Sequence, residues 1–146
     1  MSIDPEGSSP EGAGAADPAF SRLGNEPFVL LTTFRKSGVG VATPVWIAHD
    51  GSDLLVTTPE ESGKVKRVRN SGRVTLQPST RMGKPKEGTP VIYGHAVILP
   101  DADTERFSAV FQRKYGLEYR VFLVIERVLA RRQKKRVILR ITPPAL

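Results

Sequence analysis

Three groups of residues have side chains whose type and spacing could do chemistry. The first is the segment SGKVKRVRNS, residues 62–71. On a helix, Val65 and Val68 lie about 60° apart and define a buried face, which puts Lys64 and Arg67 on one flank and Lys66 nearly opposite. Two cations one turn apart beside a helix N-terminus suit a phosphate, because free N–H groups and the helix dipole add to their charge. A solvated basic face has the same pattern, and spacing alone leaves both open. The second group is ATPVW, residues 42–46, where Pro44 interrupts a strand and leaves a surface on which a flat aromatic ligand could lie. Trp46, the only Trp, could equally be a core residue at a sheet edge. The third is the pair of histidines. His49 precedes Asp50-Gly51 and is expected to be an exposed turn residue, while His95, alternate to Tyr93, could be a proton donor or a structural, hydrogen-bonded ring.

Other chemistries find no support. The chain has no Cys, which excludes disulfides, thiolate metal sites and cysteine nucleophiles. No His-x-x-x-His or clustered carboxylate spacing points to a metal, and none is expected. No Gly-x-Ser-x-Gly elbow or phosphate-binding Gly loop is present, so hydrolase and nucleotide-kinase chemistry is not expected.

Mostly β elements must position these groups. Phe28–Phe34, Val39–Ala48 and Leu54–Thr58 are expected as a three-stranded meander, the last two joined at the hairpin signal Asp50-Gly51. A helix is expected over Ser62–Ser71, started by a capping box at Thr58-Pro59-Glu60-Glu61 or by Ser62. Strands follow at Arg73–Gln77, Pro90–Leu99 and Val137–Thr142. A helix capped by Asp101 or Asp103 runs to about Lys114, with Phe107, Val110 and Phe111 on one stripe, and residues 119–130 favour helix. Six short strands with few helices predict a mainly β fold: a six-stranded antiparallel split barrel with flanking helices.

Residues 1–17 are Gly, Ser, Pro, Ala and acids without periodicity and are expected to be a disordered tail, leaving residues 18–146 as one domain. That tail holds four acids (Asp4, Glu6, Glu11, Asp17) and no base, so the +7 of the whole chain becomes +11 for the remainder. Such a basic body implies an anionic partner. Seven bases between Arg127 and Arg140 could form a nucleic-acid patch or receive an anionic ligand tail; with no aromatic among them, nucleic acid is the weaker expectation. The longest apolar run, Val121–Ile125, is too short to span a membrane, and the acidic start is unlike a secretory signal, so the expected location is the cytoplasm.

In order and spacing, LLTTFRKSG, VATPVWIAHDG, LLVTTPEESGKVKRVRNSGRVTLQPS and EGTPVIYGHAVIL resemble the split β-barrel flavin and deazaflavin oxidoreductases, the pyridoxamine-phosphate-oxidase-like superfamily. Within it the chain looks most like enzymes that use the deazaflavin coenzyme F-420. The resemblance covers residues 25–117.

The resemblance implies a homodimer with cofactor in clefts shared by two barrels. It implies that Lys64 and Arg67 hold the cofactor phosphate with Ser62, Thr57 and Thr58, that Thr43, Pro44, Val45 and Trp46 line the deazaflavin ring, and that Gln77 helps close the site. Arg81, Lys84 and Lys86 would meet the coenzyme's anionic tail. The flavin-using oxidases carry an Arg-x-x-x-Leu-Lys phosphate motif where this chain has neutral ATPVW, which favours F-420 over FMN. The implied activity is hydride transfer between F-420 and a small organic substrate, with no catalytic side chain assigned. FMN binding, or a non-catalytic basic barrel, are the alternatives.

Overall fold

The structure, a computed structural model, describes residues 18–121, 124 and 135–144. The expected tail, most of 119–130 and the bases from Arg127 to Lys134 lie outside the described residues. A short helix α1 (Pro18–Arg22) and a 3-10 turn (Leu23–Asn25) lead into the sheet. The strands are β1 (Val29–Phe34), β2 (Gly40–Val45), β3 (Ile47–Asp50), β4 (Asp53–Pro59), β5 (Arg73–Pro78), β6 (Ile92–Ile98) and β7 (Arg136–Thr142). Helix α2 (Gly63–Asn70) joins β4 to β5, and α3 (Asp101–Tyr115) lies between β6 and β7.

All pairings are antiparallel, in the order β2-β1-β5-β6-β7-β4-β3. The two edge strands, β2 and β3, are consecutive in the chain with only Trp46 between them. A sheet whose opposite edges are joined by one residue must curl until those edges meet, so the sheet forms a barrel with a seam at Trp46. The mainly β split-barrel expectation is correct in class, with seven strands in place of six. The extra strand arises because Val39–Ala48 does not run through: the chain leaves one edge at Val45 and joins the other at Ile47.

Leu54–Thr58 is buried at every residue, without alternation. Both faces of β4 are covered: Leu54 and Val56 join the barrel core with Leu31, Leu76 and Ile141, whereas Leu55 joins Trp46, Phe107, Phe111, Tyr119 and Ile138 on the other side. The β3–β4 hairpin turns at Gly51, whose φ of 63° is the left-handed conformation a two-residue loop asks for. Across its ends Arg140 donates to Asp50 at 2.7 Å and to Asp53 at 2.9 Å.

Two capping expectations need correction. Thr58 and Pro59 are still in β4, paired with Val137 and Arg136, so they cannot start the helix; Ser62 caps it, accepting from the Val65 N–H at 3.4 Å. Neither Asp101 nor Asp103 caps α3: Pro100 holds that position, and both carboxylates sit in the first turn, where the dipole favours them.

Candidate functional site

The seam opens into a cleft of about 210 Å³ lined by Pro44, Val45, Trp46, Thr57, Thr58, Pro59, Lys64 and Arg136. Four separate elements supply these groups. Pro44–Trp46 form one wall because the chain must cross between sheet edges there. The other wall is the end of β4, whose register sets Thr57 against Ile138 and Pro59 against Arg136. Lys64 enters from the first turn of α2.

Arg136 is held against β4, its Nε donating to Thr57 Oγ1 at 3.2 Å and its Nη2 to the Thr57 carbonyl at 3.3 Å. Lys64 is half-buried, and burial lowers its pKa from the ordinary lysine value, with the positive charges of Arg67 and Arg136 adding to the effect. No carboxylate is among the described residues that line the cleft. A half-buried lysine whose charge two guanidiniums oppose, beside a lining without a carboxylate among the described residues, is an arrangement an anion would relieve. The residues present therefore fit a phosphate.

The helical-wheel expectation for Lys64 and Arg67 separates into two roles. Arg67 is near enough to disfavour the Lys64 charge, yet it does not line the cleft; its Nε donates to the buried Thr33 hydroxyl at 2.6 Å. Gly63 permits this, since a Cβ there would meet Arg67 Nη1 at 2.7 Å. Thr58 Oγ1 and Ser62 Oγ are 3.3 Å apart, so the helix cap is tied to the cleft wall.

Thr43 pairs with Leu31 on the barrel-interior side of β2, opposite in sense to exposed Pro44, and its buried hydroxyl has no hydrogen-bond partner among the described residues. It is not among the residues that line the cleft, although Val45, two residues further along β2, is. Gln77 lies apart on β5 and donates to the Thr89 carbonyl at 3.1 Å. Of the loop bases expected to meet the coenzyme's tail, Arg81 bonds Glu118 and Lys86 bonds Glu26 at 2.9 Å, while Lys84 has no acidic partner among the described residues. His49 is half-buried, not an exposed turn residue: its ring packs over Gly24 and its Nε2 is 3.0 Å from Asn25 Oδ1.

Trp46 is 8% exposed and serves both alternatives raised by its position. It lines the cleft, and behind it the indole meets Tyr115 at 5.3 Å and Tyr119 at 5.0 Å. Arg136 is the cleft residue that spacing did not single out. It was one base in a basic run, and only its place as first residue of the last strand, across from the β4 end, could have marked it.

No three His, Cys, Asp or Glu side chains cluster among the described residues. No helix among them is long and apolar enough to cross a membrane.

A seven-stranded antiparallel sheet curled to a seam, with a cationic cleft at that seam, defines a split-barrel domain. The chain belongs to the family described as pyridoxamine 5'-phosphate oxidase, whose model matches residues 17–146. No curated protein sequence matches it significantly. Solved structures share the fold. An F-420 reductase is 20% identical, with TM-score 0.60 over 89% of this chain and 97% of its own. A FAD-binding protein from Mesorhizobium loti is 16% identical, with TM-score 0.54 over 84% and 83% of the two chains. The heme storage protein HutZ from Vibrio cholerae is 13% identical, with TM-score 0.56 over 83% and 84%. At these identities the likeness speaks for the fold alone, and the ligand must be argued from the site.

Proposed function

We propose that the protein is an F-420-dependent oxidoreductase that transfers a hydride between the deazaflavin and a small organic substrate. The observation that carries this is the convergence of Lys64 and Arg136, backed by Arg67, on a cleft walled by Pro44, Val45 and Trp46. Lys64 and Arg136 would hold the phosphate, with Thr57 and Thr58 beside it. Pro44, Val45 and Trp46 would face the ring and fix its plane. When bound, the deazaflavin supplies the hydride chemistry. The chain's part is to neutralise the anion, orient the ring and leave one face open to an acceptor. FMN is the second candidate, since the same cations suit its phosphate. The neutral ATPVW strand is what favours F-420.

The cleft, at about 210 Å³, is smaller than the roughly 300–1,000 Å³ typical of drug-sized ligand sites. A second chain supplying another wall would complete it. An apolar surface suited to such contact exists at the central strand β6, where Tyr93 and Val97 are 60% and 46% exposed and Val91, just before the strand, is 49% exposed. A homodimer at micromolar concentration is the expected sedimentation result, and a monomer would contradict the shared-cleft account.

Titration with F-420 and FMN side by side tests the assignment. F-420 is expected to bind at least about tenfold more tightly than FMN. Tighter FMN binding would favour the second candidate, and binding of neither would remove both. The pH dependence has a definite sign. The pKa of Lys64 is lowered before an anion arrives, and an anion favours the ammonium form, so binding takes up a proton at alkaline pH. Affinity should therefore fall as pH rises through the lowered Lys64 pKa, and Lys64→Met should flatten that fall.

A further inference from the structure

The outer edge of β3 begins at Ile47, which faces Val56 of β4 across the ladder. Its N–H and C=O are nevertheless held by side chains from the end of α3. Tyr115 Oη accepts the Ile47 N–H at 3.0 Å. The same oxygen lies 2.9 Å from the Ile47 carbonyl and 2.7 Å from the Pro27 carbonyl, either of which can take its proton. Lys114 Nζ donates to the carbonyls of Ile47 at 2.6 Å, Glu26 at 2.6 Å and Gly24 at 2.7 Å. Two helix side chains thus bond the seam edge as a neighbouring strand would. Tyr115 also packs its ring against the indole of Trp46, the residue immediately before Ile47, at 5.3 Å with planes 33° apart.

We propose that Tyr115, supported by Lys114, is a positioning residue for the cleft: by fixing the backbone of Ile47 and the face of the indole, it sets where the Trp46 wall stands. Tyr115 does not line the cleft, so its effect on a ligand is transmitted through Trp46. Burial pushes the Tyr115 hydroxyl up to about 12, which keeps it a donor throughout any ordinary assay range. The same contacts occupy the backbone groups of Ile47 at the start of the β3 edge, which is not hydrogen-bonded to β2.

The inference rests on the cleft being the cofactor site, and its test separates the two. Trp46 is the only Trp, so its fluorescence reports this wall without any ligand. Tyr115→Phe keeps the stacking ring and removes the hydroxyl. Val74→Ala, in the barrel core away from Trp46, serves as a control for a merely weakened fold. In ligand-free protein, Tyr115→Phe should raise acrylamide quenching of Trp46 about twofold, and it should lower F-420 affinity about tenfold. Val74→Ala should lower Tm and move neither. Quenching that stays at the wild-type value in Tyr115→Phe, or rises equally in both variants, overturns the positioning role. If wild-type protein binds no F-420, the functional assignment fails and the ligand-free quenching alone decides this one.

Discussion

Lys64→Ala combined with Arg136→Ala is expected to weaken F-420 binding by at least about 100-fold, since two charge-assisted contacts at about 1.5 kcal/mol or more each multiply to that. The folded state should lose much less than binding does. Lys64 sits where burial and two guanidiniums oppose its charge, so its removal relieves a strain in the ligand-free protein. Arg136 gives up, among its contacts, two long hydrogen bonds to Thr57 at a partly exposed position. The contrast is Arg67→Ala, which should cost about 1–2 kcal/mol of stability by leaving the buried Thr33 hydroxyl without its donor, and should affect binding less. Binding by isothermal titration and stability by urea melts distinguish the two patterns. An Arg67 variant of full stability that has lost binding as completely as the pair would make Arg67 a direct ligand contact.

Trp46→Ala should have the largest effect on stability, about 3–5 kcal/mol, the usual cost of truncating a large buried aromatic. Its indole lies between the cleft and a cluster of Tyr115, Tyr119, Phe111 and Phe107, so the void would open onto the core of the α3 side. A domain of this size has roughly 5–15 kcal/mol in total, so the variant should be near its folding limit. Far-UV circular dichroism must follow the denaturation, because the variant has no Trp. A loss below about 1 kcal/mol would mean that the indole is not part of this cluster in solution.

The local features of this chain could be read from its sequence. Helix α2 and its Ser62 cap follow from residue type and 3.6-residue spacing, and the Gly51 turn follows from Asp-Gly between β-rich segments. ATPVW drew attention because Pro44 sits inside a strand pattern, and it does stand at the seam. What was not legible depends on contacts far apart in the chain. The pairing of Thr57 with Ile138 brings Arg136 to the cleft, and no local period reports it. The break of Val39–Ala48 at Trp46 is likewise set by barrel closure; the segment itself reads as continuous β. Side-chain partners were equally hidden. Glu118 and Glu26, distant in sequence, take up Arg81 and Lys86, and Arg67 reaches Thr33 over Gly63, where a side chain would block it.

The most direct measurement is a crystal structure of the protein grown with F-420. Phosphate oxygens should lie about 2.7–3.0 Å from Lys64 Nζ and the Arg136 guanidinium, with the ring against Pro44–Trp46. Density for the coenzyme elsewhere on the barrel, with Lys64 turned to a carboxylate and the seam filled by protein, would contradict the account.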